Sequence, residues 1–189
     1  MDTPTSLSER AARAMAASAR SDIASFIVMD VMRAAAAEEA RGRSIIHMEV
    51  GQPATPAPLA AREAVRAALE RDTLGYTLAL GTEPLRRRIA RHYRDWYGVD
   101  LDPGRVVVTM GSSAGFILAF LAAFDAGDEV ALPAPGYPCY RHILSALGCR
   151  PVTLVTGPDT RWMPTAAQVA EAARGGRLKG LLVASPANP

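Results

Sequence analysis

The sequence predicts an α/β fold, a largely parallel sheet with helices on both faces, incomplete at its C-terminus. From Asp102 onward, short runs of aliphatic and β-branched residues alternate with helical segments, which is the grammar of βαβ units. Prolines and glycines stand mainly at the joints between these runs. The chain stops at Ser185-Pro186-Ala187-Asn188-Pro189, directly after the apolar run Gly180-Leu181-Leu182-Val183-Ala184. A domain rarely ends at the tip of a core strand, so a continuation past Pro189 is expected.

The first forty residues are rich in alanine, with Phe26, Ile27, Val31 and Ala34 at helical spacing. They predict a flexible arm running into a helix that ends near Gly42. Ser44–Val50 predicts a short strand, and the prolines 53, 56 and 58 stiffen the loop after it. Helices are expected over Leu59–Arg71 and Glu83–Tyr97, joined by the loop Gly75–Gly81. Strands follow at Arg105–Met110, Glu129–Leu132, Pro151–Val155 and Leu178–Ala184, with helices at Ala114–Phe124, Pro138–Leu147 and Thr165–Arg174. Residues 1–50 read as an arm, helix and short strand of a smaller domain, and 51–189 as the first part of a larger one.

Composition narrows the function classes. With 189 residues, 49% hydrophobic and 21% charged, the chain can bury a core, which excludes a disordered class. Its Arg86-Arg87-Arg88 run lies on a predicted helix between Glu83 and Asp95, without interleaved aromatics, and reads as a solvated face and not a nucleic-acid surface. Cys139 and Cys149 form no disulfide framework, and His47, His92 and His142 have no metal-ligand spacing. The N-terminus lacks an apolar signal core, and no apolar run spans a bilayer, so a cytoplasmic setting is expected. Lys179 is the single lysine among twenty arginines, so Schiff-base chemistry needs Lys179 or a residue beyond the chain.

In a parallel sheet, ligands bind outside the carboxyl ends of the strands. Three turns stand there. Gly111-Ser112-Ser113-Ala114-Gly115 opens a helix with unpaired amides, an anion site. Pro133-Ala134-Pro135-Gly136-Tyr137-Pro138 pins an aromatic ring that can stack on a planar group. Ser185-Pro186-Ala187-Asn188-Pro189 holds one amide side chain between prolines. An anion cradle, an aromatic plate and an amide suit a phosphorylated aromatic cofactor. The same glycine-serine turn matches a Gly-x-Ser-x-Gly nucleophile elbow with Ser113 as nucleophile. That alternative needs an acid and then a histidine downstream, whereas His142 precedes Asp159.

Five strings in register resemble one family: Met48-Glu49-Val50-Gly51-Gln52-Pro53; Gly75-Tyr76 with Gly81 and Leu85-Arg86; Val107-Val108-Thr109-Met110-Gly111-Ser112-Ser113; Gly127-Asp128-Glu129-Val130 with Pro133-x-Pro135-Gly136-Tyr137; and the closing Ser-Pro-Ala-Asn-Pro. The chain resembles the amino-terminal half of a fold-type I pyridoxal phosphate enzyme, closest to class I/II aminotransferases of the aspartate aminotransferase kind. The resemblance implies that Gly111, Ser112 and Ser113 hold the phosphate of pyridoxal 5'-phosphate, that Tyr137 stacks on its ring, and that Asn188 bonds the ring's phenolic oxygen. It places Gly51 by the substrate carboxylate and Tyr76 at the neighbouring subunit's cofactor, which implies a homodimer. Amino acids and 2-oxo acids are the implied substrates.

Two departures leave specificity open: tyrosine stands where many aspartate aminotransferases carry tryptophan, and the phosphate turn is Gly-Ser-Ser. No catalytic residue is expected within the chain, because the Schiff-base lysine, the aspartate at the pyridine nitrogen and two arginines fall beyond Pro189 in the family. Lys179 is expected at the amino end of its strand, on the wrong side of the sheet. The fragment alone is therefore expected to be inactive. A β-lyase of the same fold would share every motif, while a DNA-binding regulator would need a module that the N-terminal forty residues are too short to supply.

Overall fold

Val130, Ala131 and Leu132 are consecutive buried residues in Glu129–Ala134 (β1), and the sheet is organised around them. In this computed structural model, which describes residues 6–188, β1 lies between two parallel neighbours, Arg150–Val155 (β2) and Leu178–Leu181 (β3). The helices are Leu7–Ala14 (α1), Ile27–Glu39 (α2), Leu59–Arg71 (α3), Glu83–Tyr97 (α4), Gly111–Ala123 (α5), Pro138–Ala146 (α6) and Ala166–Ala173 (α7). The first five residues of the expected arm and the closing Pro189 lie outside the described residues.

By internal contacts the chain divides into Met1–Asp30 with Gly115–Pro189, and Val31–Ala114. The first unit holds the sheet. Phe120 of α5 and Ile143 and Leu144 of α6 join Val130 and Leu132 in its core. Ala131 points to the opposite face and is fully buried too, so both faces of β1 are covered. β1 pairs with β2 from Glu129↔Arg150 to Ala134↔Val155 without a break. Against β3 the register slips: Glu129 pairs with Leu178 but Val130 with Gly180, leaving Lys179 as the extra residue of a bulge. An Arg177 Nε–Glu129 Oε1 contact of 2.7 Å ties this amino end of the sheet.

Gly180 lies against the ring of Phe124, the residue that follows α5. A Cβ there would stand 2.6 Å from Phe124 Cζ, a separation real side chains do not tolerate. α7 starts at a capping box in which Gln168 N–H donates to Thr165 Oγ1 at 3.2 Å and Thr165 N–H to Gln168 Oε1 at 2.9 Å. The Gln168 amide also donates to the Val155 carbonyl at 2.6 Å, fixing the helix to the end of β2.

In the second unit, α3 and α4 run over the bounds their sequences predict. Pro58 precedes α3, and Thr82 and Pro84 open α4, which stops where Gly98 turns left-handed. The Arg86–Arg88 run is not wholly a solvated face. Arg87 pairs with Glu83 and Arg91 with Asp95, but Arg86 Nε donates to the Val106 carbonyl at 2.9 Å.

Two expected strands do not form. Ser44–Val50 and Arg105–Met110 are extended or bent without strand pairing. β propensity describes fitness for a pleated surface, and a strand exists only with a neighbour to share its ladder. In the second segment, Val108 N–H donates to the Leu80 carbonyl at 3.1 Å, while Arg105 belongs to a short 3-10 turn. The last strand is also shorter than expected, ending at Leu181.

Candidate functional site

At the carboxyl ends of β1 and β3, within the first unit, lies a cleft of about 470 Å³ including its open mouth. Tyr137 and Asn188, two of the sequence-predicted site residues, both line it. Pro135, Trp162, Met163 and Leu182 give most of the remaining wall an apolar character. Such a lining excludes water from one side of a planar guest and leaves the polar groups to orient it.

Tyr137 is held by the chain around it. It caps α6 in extended conformation, with Pro138 opening the helix, and its ring meets Tyr140 edge-on at 5.3 Å between centroids. Tyr140 in turn meets Phe116 at 4.8 Å, and Phe116 and Phe120 of α5 and Phe124 just past its end continue the series at 5.6 and 5.9 Å. An aromatic ladder thus runs from the cleft into the core, with pairs of this kind worth about 0.5–1.5 kcal/mol beyond their burial. Burial, followed by the influence of Cys139, pushes the Tyr137 phenol above its ordinary 10.0. The hydroxyl stays neutral at physiological pH.

Three parts of this site were not foreseen from sequence. Phe26, expected within the first helix, stands just before α2 and packs edge-on against Tyr137 and His142. Trp162 and Met163 enter the cleft from the turn after Pro158–Thr160. Arg161 and Trp162 there adopt left-handed φ values of 51° and 60°, held by N–H bonds of 2.9 Å to the carbonyls of Pro158 and Gly157. Gly157-Pro158-Asp159 signals a turn, but no local signal says where its aromatic residue points.

The other candidates belong to the second unit. Gly111 begins α5 at φ 75°, which a side chain would strain, and its N–H bonds the Thr109 carbonyl at 2.9 Å while Thr109 Oγ1 donates to the Gly111 carbonyl at 2.8 Å. This double strap fixes the turn from which Ser112 and Ser113 enter the helix. Their amides belong to the first turn of the helix, where the dipole favours an anion. Gly51 is exposed, and no atom lies within 4 Å of where its Cβ would be. Tyr76 is fully exposed.

Lys179 is exposed in the bulge at the amino end of β3, away from the strand ends that form the cleft. Cys139 and Cys149 are not joined in a disulfide, and burial pushes the Cys149 thiol above its usual value. Among the described residues no group of three or more histidine, cysteine or acidic side chains could hold a metal, and no helix is long and apolar enough to cross a membrane.

Residues 43–189 match the family of class I and II aminotransferases. The chain is 50% identical over 170 residues to a valine–pyruvate aminotransferase of Mycobacterium tuberculosis, covering 90% of this chain and 43% of that protein. A crystal structure of an aminotransferase from Mycobacterium tuberculosis superposes with a TM-score of 0.86 at 49% identity, over 92% of this chain and 44% of that one. An aspartate aminotransferase from Rhizobium meliloti gives 0.82 at 27% identity, over 93% and 44%. The chain spans less than half the length of these relatives.

Proposed function

The chain belongs to the class I and II aminotransferase family, and from that premise we propose that it forms the cofactor-holding part of a pyridoxal 5'-phosphate-dependent aminotransferase. The reaction is transfer of an amino group between an amino acid and a 2-oxo acid. The observation that carries this reading is the pairing of Tyr137 and Asn188 in one apolar cleft at the strand ends. A neutral aromatic plate and an amide donor fit a planar pyridine ring bearing an oxygen acceptor. When bound, the cofactor supplies the electron sink for chemistry at the amino acid's α-carbon.

The chain's own residues bind and orient. Tyr137 presents a ring made rigid by its aromatic neighbours, so stacking on it requires little further ordering. Asn188 donates its side-chain amide to the cofactor's ring oxygen, and the amides of Ser112 and Ser113 receive the phosphate at the turn that Gly111 shapes. Gly51 offers a bare backbone to the substrate carboxylate, and Tyr76 extends to the cofactor of a second copy in a homodimer. Residues 1–50 belong to the smaller domain of the whole enzyme and 51–189 to the larger. A cytoplasmic setting accords with two cysteines that form no disulfide.

The β-lyase reading shares the same cleft, and no observation favours it. The Ser113 hydrolase is weaker, since His142, the one histidine after Ser113 within these 189 residues, packs its ring on Phe26.

Equilibrium binding tests the proposal. Pyridoxal 5'-phosphate is expected to quench the fluorescence of Trp162, with Y137A and N188A each weakening binding about tenfold, the loss of one good contact. A chain continued past residue 189 to the length of its relatives is expected to transfer amino groups, and the 189-residue chain to be inactive. Quenching indifferent to both substitutions would refute the assignment of the cleft.

A further inference from the structure

His47 lies between two carboxylates. Its Nδ1 is 2.7 Å from Glu49 Oε1, and its Nε2 is 2.9 Å from Glu39 Oε1 near the end of α2. A neutral imidazole carries one N–H, so it would have to turn an acceptor lone pair toward one of these anions. Only the imidazolium donates to both. The two bonds join α2 to the segment that, two residues after Glu49, reaches Gly51.

We propose that His47 is a positioning residue: a cation clamped by Glu39 and Glu49 that fixes the Met48–Gly51 segment to the end of α2 and so sets where the Gly51 backbone stands. This deepens the proposed function and rests on its assignment of Gly51 to the substrate carboxylate. The surrounding charges leave the clamp intact. Glu38 is occupied by Arg41 and Arg43, at 2.5 and 2.9 Å, so neither arginine competes on these contacts for the carboxylates that hold His47. The Glu49 side chain is only 12% exposed, against 46% for His47, so the acid on the Gly51 side is the more firmly seated partner.

The pH range of the clamp follows from both partners. The hydrogen bond to Glu49, then that to Glu39, raises His47 from 6.5 to about 9. The hydrogen bond from His47 holds Glu49 below its usual 4.5. The contribution of His47 is complete below 6.5 and lost as pH rises through about 9. That of Glu49 is complete above 4.5 and lost as pH falls through its lowered value.

The test is NMR of the intact protein labelled at histidine and glycine. The His47 ring is expected to titrate with a midpoint near 9, the Gly51 amide to follow the same curve, and H47Q to abolish that response of Gly51. E39Q keeps one carboxylate and is expected to move the midpoint down toward 6.5. Unchanged core methyl signals of Val130 and Leu144 establish that each variant is folded. A folded wild-type protein in which His47 titrates near 6.5, or in which Gly51 ignores both pH and H47Q, overturns the clamp. If the clamp is observed but, in the chain continued past residue 189, G51A leaves KM for the amino acid unchanged, the assignment of Gly51 fails on its own.

Discussion

The ring of Phe26 meets that of Tyr137 edge-on, with centroids 6.2 Å apart and planes at 88°. Phe26 comes from the stretch just before α2, and Tyr137 from the turn after β1. A residue that touches no proposed ligand thus braces the plate on which one is proposed to stack. F26A removes an edge-to-face pair worth about 0.5–1.5 kcal/mol. Affinity for pyridoxal 5'-phosphate should fall about two- to tenfold, measured by fluorescence titration. An unchanged dissociation constant would show that Tyr137 needs no brace.

Leu144 is fully buried on α6, among Phe120, Val130 and Ile143. Truncation to alanine leaves a cavity in the core, with an expected cost of about 2–5 kcal/mol. Urea unfolding at constant m-value reads it directly. L118A is the contrast: Leu118 on α5 is 56% exposed, and its truncation should cost less than about 1 kcal/mol.

Tyr137 also gives the fold an alkaline signature. Its phenol ionises above 10.0 when folded, so the unfolded chain releases that proton first. Its contribution to stability is complete below 10.0 and is lost as pH rises through the raised value. Unfolding midpoints across that range should decline in the wild type, and Y137F should flatten the part due to this residue.

The legibility of the chain varied with the range of the forces involved. Helices α3 and α4 could be bounded from sequence because their ends are set locally, by Pro58, Thr82, Pro84 and Gly98. The turns bearing Tyr137 and Asn188 were legible for the same reason: prolines restrict the backbone beside them whatever lies farther off. Ser44–Val50 and Arg105–Met110 misled because valine and isoleucine report suitability for a sheet and carry no information about a partner strand. Phe26 beside Tyr137, and Trp162 in the cleft, depend on contacts distant in sequence. The His47 clamp was hidden differently: Glu49 stands two residues after it, at ordinary strand spacing, but Glu39 stands eight before it at the end of α2, and no local signal folds the chain back to join them.

The two thiols should separate chemically. Burial is the main reason the Cys149 thiol is raised, helped by the charges of Asp128 and Asp125, and the residue is 6% exposed. Cys139 is half-buried at the start of α6. An aromatic disulfide reagent at mildly alkaline pH should therefore modify one thiol per chain quickly and the second only on unfolding. Peptide mapping should find the fast label on Cys139. Equal rates would mean that Cys149 is reached without unfolding.

The close approach at Gly180 has a consequence for how this chain can vary. With Phe124 Cζ 2.6 Å from the space a Cβ would fill, the two positions share one volume. A sequence that gains a side chain on β3 at this point must lose bulk at 124 or lift α5 from the strand. Neither substitution has a fixed effect of its own; each is tolerated or harmful according to the state of the other. Descendants of this chain can explore the pair only along a narrow diagonal, exchanging size between helix and strand.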